Sequence, residues 1–104
     1  MELDRNGYAP SIIAGHDEYM CFLCKKNGNG KLDRHELFGA AFRDKSKEYG
    51  LWVHLCHDSC HLNGVHKHAE QSRKLKVLGQ RIAMERYGWT DTDFIKIFGR
   101  SYFA

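Results

Sequence analysis

The chain has 104 residues, of which 42% are hydrophobic, and a formal net charge of +3. That length suits one domain with a modest buried core. No apolar run approaches the roughly 20 residues that a membrane-spanning helix needs, and so small a charge speaks for solubility rather than for a particular partner.

In chain order, residues 1–15 have no clear hydrophobic period and read as an N-terminal arm. Met1-Glu2-Leu3-Asp4-Arg5 is charged with no apolar run behind it, which does not suit a signal peptide and makes the cytoplasm the expected compartment. Cys21-Phe-Leu-Cys24 opens a knuckle, and Asn27-Gly28-Asn29-Gly30 is turn chemistry, because Gly and Asn accept positive φ. Lys31 to Phe38 alternates roughly and predicts a short strand. Gly39 to Glu48 reads as a loop with one or two helical turns. Leu51-Trp52-Val53-His54-Leu55 predicts a second strand with Leu51, Val53 and Leu55 on one face. A short helix is expected to begin near Ser59. A long one follows from about Lys67 to Tyr87, with Leu75, Leu78 and Ile82 at helical spacing and Gly88 as its stop. Thr90 and Asp93 have the spacing of a capping box for a last helix, whose Phe94, Ile95, Ile97 and Phe98 are expected to pack on the long helix.

The four cysteines fall in two tight pairs, Cys21-x-x-Cys24 and Cys56-His-Asp-Ser-Cys60. Two such pairs can close a tetrahedral zinc site. Disulfides suit these pairs poorly, being too tight to link distant parts of a fold, and a redox dithiol belongs to a larger alternating fold. Lys25 to Glu36 imitates a calcium loop, with Asn27, Asn29, Gly30, Leu32 and Glu36 in register. Its first position carries Lys25, an ammonium where calcium needs an oxygen, so calcium binding is not expected. Lys67, Arg73, Lys74, Lys76 and Arg81 form one basic stretch, and Arg43, Lys45 and Lys47 another. Such clusters suit a phosphate backbone, with Arg73, Lys74 and Lys76 as the nucleic-acid contacts; the plainer alternative is a solvated helix face.

With these residues in view, the sequence resembles the HNH nuclease superfamily, most of all its small zinc-bearing phage and prophage members. The resemblance runs from Cys21 to about His68. It is carried by Cys21-x-x-Cys24, Arg34-His35-Glu36-Leu37-Phe38, Gly50-Leu51-Trp52-Val53-His54-Leu55-Cys56, Cys60-His61 and His66. It implies an α+β fold with a small zinc-stabilised ββα-metal, treble-clef-like core over residues 16–68 and C-terminal helices over 69–104. It also implies a structural zinc on Cys21, Cys24, Cys56 and Cys60. A second divalent ion, Mg2+, Mn2+, Ni2+ or Zn2+, would serve hydrolysis of phosphodiester bonds in nucleic acid, with DNA the expected substrate. The host cell would be bacterial, and a homodimer able to cut two strands is in keeping with the class.

Carried over residue by residue, the strand histidine that activates water is His35, and His61 and His66 hold the second ion. Phosphodiester hydrolysis needs such a base, together with a cation for the charge that builds on phosphate and leaving oxygen. Taken singly, His35 reads as a surface histidine beside a salt bridge, His61 as a zinc ligand in place of a cysteine, and His66 and His68 as a solvated helix start. The usual strand motif pairs a ligand with the basic histidine. Here Arg34 holds the ligand position, with Asp33 as the substitute. Alternatively His35 is the ligand and Glu36 the base. The family's middle asparagine is replaced in the region of Gly50 and Leu51, and the second cysteine pair is one residue longer than usual. These departures keep a second expectation open: an HNH-like zinc module without catalysis that binds nucleic acid or inhibits or adapts a partner protein.

Overall fold

The computed structural model describes residues 3–27, 31–57, 60, 61 and 68–103. Two strands, β1 (Leu32–Glu36) and β2 (Trp52–Cys56), pair antiparallel, and between them lie a short 3-10 turn (Ala40–Phe42) and the helix α1 (Arg43–Glu48). Two helices follow, α2 (Ala69–Tyr87) and α3 (Asp91–Phe98), so the fold is a small α+β one. The expected short helix near Ser59 lies largely outside the described residues.

The hairpin register decides what each side chain faces. His35 stands opposite Val53 and Asp33 opposite Leu55. Because successive side chains alternate across a strand, Asp33, His35, Val53 and Leu55 share one face. Val53 and Leu55 are fully buried there, as the alternation in Leu51–Leu55 predicts. Arg34, Glu36, Trp52 and His54 share the other face. There the Arg34 guanidinium lies 4.3 Å from the Tyr8 ring centroid and 5.1 Å from that of Trp52, and it bonds the Asp4 carboxylate at 2.8 Å.

The segment expected as an arm is therefore built into the domain. Ala9 N–H donates to the Lys47 carbonyl, Ile12 N–H to that of Gly50, and the Trp52 indole to that of Ala9. Ala9 and Ile13 are buried. This close run requires Gly50, whose φ is +72° and whose position leaves no room for a Cβ beside the Pro10 carbonyl oxygen. Gly50→Ala combines left-handed strain with overpacking and should cost about 3 kcal/mol. The check is the urea midpoint, which should fall with no change in slope.

Buried Ser46 on α1 closes the crossover between the strands. Its hydroxyl donates to the Phe38 carbonyl at 2.8 Å and accepts from the Phe38 N–H at 3.0 Å. The buried stripe of α2 is Leu75, Gly79, Gln80 and Ala83, while Leu78 and Ile82 are only half-buried beside it. Gly79 lets the helix approach β1's continuation: a Cβ there would sit 2.7 Å from Leu37 Cδ1. Gly88, at φ +67°, ends α2 as its position predicts. The Thr90–Asp93 capping box is present, with Asp93 N–H donating to Thr90 Oγ1 and Thr90 N–H to Asp93 Oδ2. Phe94 and Phe98 are fully buried. Their rings meet Phe38, at centroid distances of 5.4 and 4.7 Å, so α3 seals the end of the hairpin as well as packing on α2. None of the described helices is long and apolar enough to cross a membrane.

Candidate metal centre and histidine cleft

The four cysteines converge. Their sulfurs lie within 4.8 Å of one another, no disulfide joins them, and Cys24 Sγ and Cys56 Sγ are 3.8 Å apart. A disulfide would need about 2.05 Å. A tetrahedron with Zn–S bonds of about 2.3 Å has edges of about 3.8 Å, so the observed spacing suits a shared ion. Local chain geometry sets this up. Cys21 N–H donates to the Lys26 carbonyl, Lys25 N–H to that of Cys21, and Met20 bridges Asn27. The tight reversal puts Lys25 at φ +63°, a left-handed conformation for a non-glycine residue. Phe22 N–H then donates to the His54 carbonyl at 2.8 Å, tying the knuckle to β2, whose last residue is Cys56.

The thiols differ in environment. Burial pushes the Cys21 thiol up, but backbone hydrogen bonds from Cys24, Cys56 and Leu23 outweigh it and hold the group below its ordinary range. Burial, with the neighbouring sulfurs, pushes Cys60 up. Four sulfurs this close could share one metal ion, and zinc fits four sulfur donors. His61 does not replace a cysteine in this cluster.

Beside the cysteines, on the core face of β1, lies a second group. The His35 and His61 rings meet edge to face at 5.3 Å between centroids. Asp33 Oδ2 bonds Nδ1 of His61 at 2.9 Å and Nδ1 of His57 at 2.6 Å. Burial pushes the Asp33 carboxyl up, but the two ring contacts outweigh it, and it lies below its ordinary range. An ionised Asp33 only accepts, so both rings present Nδ1–H to it and carry their lone pair on Nε2 when neutral. Asp33 thus stands in this arrangement as an orienting carboxylate. His57 is a member of the group that its sequence context hides. The available signal is its place inside the second cysteine pair, just past a strand paired with Asp33.

His35 is 9% exposed, yet it lines a cleft of about 670 Å³ along the free edge of β1, together with His61, Glu36, Arg43, Lys76 and Tyr102. Glu36 enters this cleft from the other side of the strand. Its carboxylate lies 3.6 Å from Arg43 Nε. It also helps, after burial, to push the Tyr8 phenol up to about 12. His66 lies outside the described residues. Among the described residues, the four cysteines are the one group of three or more such side chains spaced to hold a metal ion. The basic trio divides. Lys76 lines the cleft with its Nζ 5.5 Å from the Tyr102 ring centroid, while Arg73 and Lys74 border a separate depression, where Lys74 pairs with Glu70 at 3.8 Å.

Comparison with known proteins yields no match to a family model, a curated protein or a solved structure.

Proposed function

We propose that this chain is a zinc-stabilised, divalent-metal-dependent phosphodiesterase of the HNH type acting on nucleic acid, with DNA the expected substrate and the bacterial cytoplasm its place of work. The observation that carries the reading is the meeting of His35 and His61 at one cleft, with Asp33 bonded to the His61 ring, near four clustered cysteines. A knuckle, a two-stranded hairpin and two cysteines at and after its second strand also support a treble-clef core. His35 is the base for the attacking water. Imidazole is the side chain whose ordinary pKa suits it to accept a proton near neutral pH. Asp33 holds His57 and His61 by their Nδ1 atoms, the usual outer support of a histidine that gives Nε2 to a metal. His61, with His66, would be the protein's share of that second site, and a divalent ion held there would supply charge stabilisation for the phosphoryl oxygens. The test is incubation of zinc-loaded protein with labelled DNA and RNA in magnesium, manganese or nickel. Cleavage that needs the added ion supports the reading.

One observation favours the alternative of a non-catalytic zinc module that binds nucleic acid or a partner protein. The described residues supply no second group of three ligands, and Arg34 occupies the strand's usual ligand position while bonded to Asp4. Absence of cleavage under every ion, with nucleic-acid or protein binding retained, would select that module.

Under either form of the nucleic-acid reading, reversing Arg73, Lys74 and Lys76 to glutamate should weaken binding evenly across sequences and flatten its salt dependence. Lys76→Glu alone should carry the largest part, because Lys76 is the member of the trio that lines the histidine cleft. Titration at several salt concentrations gives the slope, and an unchanged slope would reduce the stretch to a soluble face.

A further inference from the structure

The lining of the histidine cleft is of two chemical kinds: the polar side chains of His35, His61, Lys76 and the Arg43–Glu36 pair, and the aromatic rings of Phe38, Phe42 and Tyr102. The cleft's volume of about 670 Å³ falls within the range of sites that enclose a small ligand. The aromatic part of the lining is firmly built. Gln80, fully buried in α2, accepts from the Tyr102 N–H at 2.7 Å and donates to Ser101 Oγ at 3.0 Å. That clamp fixes the C-terminal segment against the hairpin end, where the Tyr102 ring lies 5.4 Å from that of Phe38. The ring stays half-exposed, with Lys76 and Arg100 lying over it at 5.5 and 4.9 Å.

We infer that the cleft takes an unstacked, single-stranded nucleotide, with its base on the ring of Tyr102 and its phosphates toward Lys76 and Arg43. A duplex keeps its base faces stacked and offers a protein mainly phosphates and groove edges, which would leave the aromatic ring without a partner. A single strand offers both surfaces: base faces for the ring and a charged backbone for the cations. The two cations over Tyr102 can turn to the backbone as a base covers the ring. Tyr102 is a binding residue in this scheme, and Gln80 is a positioning residue that acts through it. The inference rests on the nucleic-acid reading of the cleft but not on cleavage.

The experiment is fluorescence anisotropy with a labelled mixed-sequence DNA oligonucleotide, single-stranded and as its duplex, using zinc-loaded protein with no other divalent ion. The single strand should bind more tightly than the duplex. Tyr102→Ala should weaken single-strand binding about tenfold or more, the range of one base–aromatic stack, and leave duplex binding unchanged. Tyr102→Phe, which keeps the ring, should retain wild-type affinity. Gln80→Leu should reproduce the Tyr102→Ala loss, with zinc content and circular dichroism reporting that each variant is folded. Equal or tighter duplex binding, or a Tyr102→Ala variant that binds the single strand like wild type, overturns the inference. The nuclease reading fails separately: a protein that cuts nothing yet binds single strands through Tyr102 sinks catalysis alone. One that cuts duplex through His35 with no role for Tyr102 sinks this inference alone.

Discussion

Removal of zinc, or Cys24→Ser, is expected to abolish the cooperative fold. The sulfurs of Cys21, Cys24, Cys56 and Cys60 lie within 4.8 Å of one another and join two segments far apart in the chain, the knuckle and the end of β2. Without an ion, crowded thiols of this kind repel as they ionise, and the knuckle is left with the burial of Cys21, the packing of Phe22 and Leu23 on the core and a few backbone hydrogen bonds, set against the left-handed strain at Lys25. Zinc bound to four thiolates contributes on the order of 10 kcal/mol to folding. A domain of this size has about 5–15 kcal/mol of net stability in total, so loss of the ion removes most or all of it. Elemental analysis should find one tightly held zinc per chain, and a strong chelator should erase the melting transition. Cys24 is exposed, so serine there removes a ligand without opening a core cavity, and the loss can be assigned to the metal. A metal-free protein that melts cooperatively at the unchanged temperature would refute the site.

Much of the fold was legible because its determinants are local. Cys21-x-x-Cys24 and Cys56-x3-Cys60 each sit within a few residues, so spacing alone marks them as ligand pairs. The alternation in Leu51–Leu55, the glycine after Tyr87 and the Thr90–Asp93 box are likewise short-range signals, and each has its structural counterpart. What was hidden depends on distant parts of the chain. The buried stripe of α2 includes Gly79, Gln80 and Ala83, residues that write no hydrophobic period; Gly79 is there because Leu37 needs the space, and Gln80 because the C-terminal segment needs its amide. The first fifteen residues carry no periodic pattern either. They are held by backbone hydrogen bonds and by the passage that Gly50 leaves for Pro10. Within the candidate site, His35 and His61, whose rings meet at the cleft, could be named from their order along the chain. The bridge from Asp33 to both His57 and His61 could not, because it follows from strand register and from where the chain leaves β2.

Under the nuclease reading proposed above, the choice between His35 and Glu36 as the base also turns on register. His35→Ala is expected to lower divalent-ion-dependent cleavage by a factor of ~100 to ~10,000, the usual cost of losing a general base. Zinc content should be unchanged. Because His35 is nearly buried, His35→Asn, which preserves more of the volume and a polar contact, guards against a loss that merely reports a loosened core. Glu36→Gln should be mild. Alternation turns Glu36 away from His61, toward Arg43 and Tyr8, and its carboxylate is engaged by the Arg43 guanidinium at 3.6 Å. His61→Ala should act differently from both, weakening affinity for the second ion so that a high ion concentration partly restores the rate. Single-turnover cleavage across a metal titration separates these outcomes: a lowered plateau marks the base, and a shifted midpoint marks the ligand. A near-total loss in Glu36→Gln beside a mild one in His35→Asn would exchange the two roles. A wild-type protein that cleaves nothing with any ion would end the nuclease reading, leaving the zinc-centred binding module.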